Sequence, residues 1–298
     1  MSARFHQSGL SWRDDGRDWP NHDASCFIEA AGLRWHIQRM GRGPPILLLH
    51  GTGAATHSWR DFMPLLAKRF AVVAPDLPGH GFTDPLPAES LSLPGMAHAV
   101  ALMLKTLEAE PAMVVGHSAG AAILARLCID QVIAPKMIAS LNGALLPFDG
   151  FASHIFPTVA RLLYLNPFAP RVFAWSADPA AVSRLLRGTG SAIDRRGLDL
   201  YARLLGNAGH VAGALGMMAN WDLDALSRDL KRLRTPLALI VAKGDRAVPH
   251  ALADRVKAKA PHALVETLRG VGHLAHEERP AVVAELIIRL AEDAGVLP

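Results

Sequence analysis

Cysteine is scarce in this chain, with only Cys26 and Cys128 among 298 residues. Two thiols cannot build a multi-bridge framework or a four-thiolate metal site, so each reads as a reduced, buried and inert side chain. Long uninterrupted apolar runs are also missing, although half of the residues are hydrophobic and the mean hydropathy is +0.19. The longest candidates, around 112–129 and 132–148, carry His117, Arg126 and Lys136, which is not the pattern of a membrane span. The first residues, "MSARFHQSGLSWRDDGRDWPNHD", are mixed in charge and lack the apolar core of a signal peptide, which leads to the expectation of a cytoplasmic protein. No Lys/Arg run exceeds "LKRLR" at 230–234, and the formal charge is only +4. Nucleic-acid binding therefore has little support.

Charge is distributed unevenly. Residues 148–220 hold seven arginines and four aspartates, with no lysine and no glutamate, a local balance of +3. Arginine on solvated helix faces accounts for this; attraction of an anionic ligand or a membrane surface is the functional alternative.

The chain alternates short β-rich runs with helical patterns. "CFIEAAGLRWHIQRMG" (26–41) reads as an antiparallel hairpin around its "EAAG" turn, and "PPILLLHGTG" as a strand buried on both faces and stopped by glycines. Further strand runs at 70–81, 112–120, 136–144, 237–245 and 263–273 end in Gly, Asp or His. Helical patterns occupy 58–70, 93–110, 119–132, 249–260 and 279–295. Such alternation predicts an α/β fold with a mostly parallel, doubly wound sheet. Between 147 and 221 no strand pattern occurs; this interval reads as a helical lid inserted at the carboxyl end of a strand, over the crevice where open α/β sheets bind ligands. The expected organisation is an N-terminal, loosely packed arm at 1–24, a core formed by 25–146 and 222–298, and the lid at 147–221, whose Leu-, Phe- and Pro-rich start would line part of an apolar pocket.

One pentapeptide carries most of the chemistry. Gly116-His117-Ser118-Ala119-Gly120 follows an apolar strand and opens an alanine-rich helix. A G-x-S-x-G string arises by chance in roughly one chain in ten of this length, but its strand–turn–helix setting is the one a nucleophile elbow requires. A serine hydroxyl needs a base and an orienting acid, in the chain order Ser, Asp or Glu, His. Asp245 in "VAKGDRAVP" and His273 in "RGVGHLAHEE" follow the last two strands in that order. The alternative acid position, after the preceding strand, holds Asn142 in "SLNGALL". His276 is the nearest competitor for the base, though "HEERP" reads as the start of the last helix. The amides of Thr52, with Gly53 as the alternative, and Ala119 are candidates for an oxyanion hole, and His50 reads as a structural hydrogen-bonding residue. "PDLPGHGFTD" (75–84) lacks the Lys and Ser/Thr of a phosphate loop and is assigned to turn geometry, and "HLAHEE" lacks zinc-motif spacing. Neither a metal nor an organic cofactor is expected.

Together "LLLHGTG", "APDLPGHGFTD", "VVGHSAG", "KGDRAVP" and "GVGHLAHEERP" resemble the landmarks of the α/β-hydrolase family, in order and spacing, over about 25–293. Within it, "GRDWPNHDASCFIEAAGLRWHIQRMG", "HGTGAATHSWRD" and "NWDLDALSRDL" resemble the BchO-type group, accessory proteins of magnesium chelatase in bacteriochlorophyll biosynthesis. The resemblance implies a hydrolase acting beside magnesium insertion, with a small-molecule substrate, a tetrapyrrole being suited to an apolar, arginine-bearing lid. It also raises transient contact with magnesium chelatase or a membrane surface. A carrier that holds a pathway intermediate in the same pocket, and a general cytosolic esterase, are the competing readings.

Overall fold

The structure, a computed structural model, describes residues 9–147, 163, 166, 168–176 and 178–298. Eight strands form one sheet: β1 (Ser25–Ala30), β2 (Leu33–Met40), β3 (Pro45–Leu49), β4 (Ala71–Pro75), β5 (Met113–His117), β6 (Met137–Leu141), β7 (Leu237–Ala242) and β8 (Leu264–Leu268). Their order is β1-β2-β4-β3-β5-β6-β7-β8. The β1–β2 hairpin and the β2–β4 pair are antiparallel, and every pairing from β4 to β8 is parallel.

The parallel strands alternate their side chains between two cores, which explains their continuous apolar sequence. In β3, Leu47 and Leu49 join the cluster under helices Leu93–Thr106 and Ala119–Ile129. Ile46 and Leu48 join the opposite cluster, against Met63–Leu66 and Pro280–Asp293. Each of these side chains is at most 1 % exposed, and full burial of such a residue stabilises by about 1.5–3 kcal/mol. The central strands β3, β5 and β6 are thereby sealed on both faces, and their ends are where a site can be built.

Two expectations change. The single helix expected over 58–70 is instead a 3-10 turn at Thr56–Trp59 and a short helix at Met63–Leu66, because Trp59, Phe62, Met63, Leu66 and Phe70 are all drawn fully into the core. The N-terminal arm, in its described part, is packed rather than loose. Trp19 is 2 % exposed and its indole donates to Thr56 Oγ1 at 3.0 Å, while Trp12 lies edge-on to Phe82. These aromatics plug individual gaps, so they leave no periodic signal.

The inserted segment is helical where described: Ala169–Ser176, Pro179–Gly188, Arg195–Leu205 and Ala208–Ala219. Three begin with a side-chain cap, from Asp178, Asp194 and Asn207 respectively. Residues 148–162, which include the Phe- and Pro-rich start of the lid, lie outside the described residues.

Candidate active site

β5 ends at His117, and Ser118 follows in a strained backbone conformation, φ 51° and ψ −116°. Such a conformation costs a non-glycine residue on the order of 1–3 kcal/mol and persists only where its surroundings enforce it. They do so here. The Ser118 N–H donates to Leu141 O at the end of β6, and Ser118 O accepts from Ala144 N, each at 3.1 Å. Gly116 and Gly120 are required by close approach: a Cβ at Gly116 would stand 2.5 Å from Ala121 Cα, and one at Gly120 would collide with Leu49 O. Ala119 is the first residue of the following helix, and amides at a helix start lack intrahelical partners and suit an anion. The "HGTG" turn rests on this elbow, since a Cβ at Gly51 would meet Ser118 Cβ at 3.0 Å. Thr52 follows Gly51 in this turn, and its hydroxyl donates to Met217 Sδ of the lid at 3.4 Å.

The other two residues are joined directly. His273 Nδ1 donates to Asp245 Oδ2 at 2.8 Å, with both residues buried. Asp245 Oδ1 accepts from the amides of Ala247 and Val248, each at 2.8 Å, so the carboxylate is fixed by its own loop before it orients the imidazole. With Nδ1 carrying the proton, Nε2 of His273 is left as the acceptor.

The histidine loop is held at several of its polar main-chain atoms. Gly272 N donates to Glu278 Oε1 and Leu274 N to Ser191 Oγ, both at 2.8 Å. The carbonyl of His273 accepts from Asn142 Nδ2 at 2.9 Å and from His117 Nε2 at 3.0 Å. Asn142, whose position marks the alternative acid site, thus serves as a clamp. Its Oδ1 also accepts from Ala242 N at the end of β7. A turn of the lid completes the enclosure: Arg246 N donates to Thr189 O at 3.0 Å, and Gly190, at φ 87°, packs so closely on Gly244 and Gly272 that no side chain would fit. The sequence reading missed Asn142 as a positioning group, together with His117, Glu278 and the Thr189–Ser191 turn. The "GTGS" string at 188–191 was the one visible signal for the turn.

The competing histidines are accounted for. His276 Nε2 donates to Ser58 Oγ at 2.8 Å, and burial pushes its pKa down to about 3. Ser58 in turn donates to Glu277, which also accepts from Tyr201 OH (2.8 Å) and Arg60 Nη1 (2.6 Å). This buried cluster holds Glu277 above the ordinary carboxylate range through desolvation, against the pull of Arg60, and ties the lid helix Arg195–Leu205 to the core. His50 is structural, as the sequence suggests: Nδ1 donates to Gly51 O (2.8 Å) and Nε2 accepts from Leu77 N (2.9 Å). Asp76 of "PDLPGHG" is a turn hub, accepting from Thr56 N, Phe82 N and His36 Nδ1. Cys128 is buried and its pKa is pushed up to about 12 by desolvation, the condition of an unreactive thiol. Among the described residues no group of three His, Cys, Asp or Glu side chains is arranged to hold a metal, and no helix is long and apolar enough to cross a membrane. A cleft lined by Ser140, Asn142, Leu145, Val248 and Leu252 opens beside the acid loop, but neither Ser118 nor His273 lines it.

The sequence profile of the alpha/beta hydrolase fold matches residues 44–280. A Rhodobacter capsulatus protein named magnesium-chelatase 30 kDa subunit is 39 % identical over 264 residues, covering 87 % of this chain and 92 % of that protein. The pimeloyl-[acyl-carrier protein] methyl ester esterase of Methylococcus capsulatus is 31 % identical, over 82 % of this chain and 94 % of its own. Among solved structures, the epoxide hydrolase CorEH superposes with a TM-score of 0.78 at 20 % identity, covering 90 % of this chain and 98 % of that one, a likeness of fold.

Proposed function

The chain belongs to the alpha/beta hydrolase fold family, and from that premise we propose that it is a serine hydrolase acting on an ester-like or activated carbonyl. The observations that carry this reading are a strained Ser118 at a strand-to-helix elbow and a His273 whose Nδ1 is committed to Asp245 at 2.8 Å. In the proposed cycle Ser118 Oγ attacks the carbonyl carbon while His273 Nε2 takes its proton. The amides of Thr52 and Ala119 stabilise the oxyanion, and the leaving group departs with the proton from His273. Water then attacks the acyl-serine, giving its proton to His273, which returns one to Ser118 as the acid is released. Asp245 remains ionised throughout and stabilises the transient imidazolium.

The substrate belongs, on this reading, beside magnesium insertion in bacteriochlorophyll biosynthesis. What supports it is the likeness to the Rhodobacter capsulatus protein over nearly the whole of both chains, together with the arginine-only cationic composition of residues 148–220. A tetrapyrrole with carboxylate edges is the ligand class that such a lid suits. The proposed step does not ask the chain to hold magnesium itself.

Fluorophosphonate labelling, compared between the native protein and Ser118→Ala, tests the chemistry. Serine-dependent labelling is expected; its absence from well-folded native protein would replace the hydrolase with a carrier. Absorbance titration with protoporphyrin or its magnesium form tests the ligand class, and failure to saturate would remove it.

A further inference from the structure

Among the described residues eight large hydrophobic side chains are exposed, and four of them lie in one short stretch of the lid: Phe168 (64 %), Val172 (58 %), Trp175 (90 %) and Leu185 (57 %). Spacings of four and three place Phe168, Val172 and Trp175 along one face at helix Ala169–Ser176. That helix packs on helix Ala208–Ala219 and buries Ala169, so the stripe is its exposed side among the described residues. In the next helix Val182 and Leu186 are buried, while Arg184, Leu185 and Arg187 are exposed together. Arg171 is exposed beside Val172. The acid between the two helices, Asp178, caps the second one by accepting from Ala181 N at 2.6 Å.

We propose that this face docks the protein on an anionic lipid surface, with Trp175, Phe168 and Val172 entering the headgroup layer and Arg184 and Arg187 meeting the phosphates. An exposed tryptophan with exposed arginines before and after it in the sequence has the side-chain chemistry of a membrane interface, where the indole sits at headgroup depth and guanidinium groups extend along apolar stems to the phosphates. The charged side chains within these two helices are all arginines, and the one carboxylate between them, Asp178, is engaged as a helix cap. A lipid surface rewards that pattern uniformly, whereas a protein partner would have to supply matched carboxylates and a pocket for an indole. A helix of eight residues lies at the interface rather than spanning it. The proposal goes beyond the hydrolase reading and does not depend on it.

The test is co-sedimentation of the full chain with phosphatidylcholine vesicles, with and without phosphatidylglycerol, at low and high salt. Binding is expected only with the anionic lipid and should weaken as salt rises. The triple variant Phe168→Ser/Val172→Ser/Trp175→Ser should partition at least about tenfold more weakly, a loss of roughly 1.4 kcal/mol. The milder Trp175→Ala should lose about half of that effect on a logarithmic scale, which covers the case of a misfolded triple variant. Arg184→Gln/Arg187→Gln should lose the anionic preference while retaining its thermal unfolding temperature. Binding that ignores lipid charge, or a Trp175→Ala variant that binds as the native protein does, overturns the proposal. So does a patch-dependent dimer in sedimentation equilibrium, which would assign the face to a second copy of the chain. A failure of fluorophosphonate labelling would remove the hydrolase reading and leave this result standing.

Discussion

The side-chain amide of Asn142 donates to the main-chain carbonyl of His273 at 2.9 Å, and the same nitrogen lies 3.2 Å from the carbonyl of Gly272. Its oxygen accepts from Ala242 N across the gap to β7. One buried side chain at the end of β6 therefore sets the spacing between the loop that carries Asp245 and the loop that carries His273.

Asn142→Ala removes these links without touching a reacting atom. We expect kcat to fall about 10- to 100-fold with KM nearly unchanged, since misplacement of a catalytic group by an ångström costs on that order. Stability should drop by roughly 1–3 kcal/mol, from the buried groups left unpaired. Asn142→Asp keeps the acceptor for Ala242 N but sets an anion against two carbonyl oxygens, and should be at least as slow. Steady-state ester hydrolysis with urea unfolding measures both, and a large KM change at constant kcat would contradict a positioning role.

Asp245→Asn probes the tautomer. The native carboxylate accepts three hydrogen bonds, two from its own loop and one from His273 Nδ1. An amide can satisfy either set with its oxygen, and its NH2 group then faces the other. If the NH2 group faces His273, it forces Nδ1 to accept and Nε2 to carry the proton, so the base is blocked. By analogy with triads in which this exchange has been made, the labelling rate should fall about 10⁴-fold. Rates within tenfold of native would show that Asp245 is not the orienting acid.

The residues of the proposed triad were legible as candidates because a reaction needs particular side chains at strand ends, and strand ends are marked by glycine. Ser118, Asp245 and His273 each sit in such a string. The sheet was legible for a related reason: strands buried on both faces have no polar alternation to confuse with a loop. What supports the triad was not legible. Asn142 read as a missing carboxylate rather than as a donor, and His117 was given no role of its own, because their partner is a main-chain carbonyl distant in sequence, and such an atom has no letter. Ser191 and Gly190 reach the histidine loop from the lid, through a contact that only tertiary packing creates. Trp19 escaped notice because a single plug has no period.

Ser118→Gly should separate strain from function. The native φ of 51° and ψ of −116° are open to glycine without the Cβ penalty. Loss of the hydroxyl abolishes labelling, yet we expect the protein to become more stable by about 1 kcal/mol, as replacements at strained functional positions often are. Chemical denaturation of the two proteins in parallel gives the difference. A Ser118→Gly protein less stable than native would mean that the elbow is not strained in solution.

Acid should loosen the lid through His210. Its Nδ1 accepts from Gly81 N and its Nε2 donates to Gly53 O, both at 3.1 Å, so the neutral ring fastens helix Ala208–Ala219 to the turn that carries Thr52. Burial pushes the pKa down to about 4 from an ordinary 6.5, with His50 adding to the shift, while the Gly53 bond and Asp76 oppose it. Between these values the unfolded chain binds a proton that the folded one refuses. Stability is therefore complete above pH 6.5 and falls as pH drops toward 4, by up to about 1.4 kcal/mol per pH unit for this histidine. His210→Leu cannot titrate. It should be less stable than native at pH 7, where two buried partners lose their bonds, but its urea midpoint should decline less steeply between pH 6.5 and 4.5. Parallel pH slopes for the two proteins would show that His210 is not part of the acid response. His276, held down to about 3 by its own burial, would then become the next residue to replace.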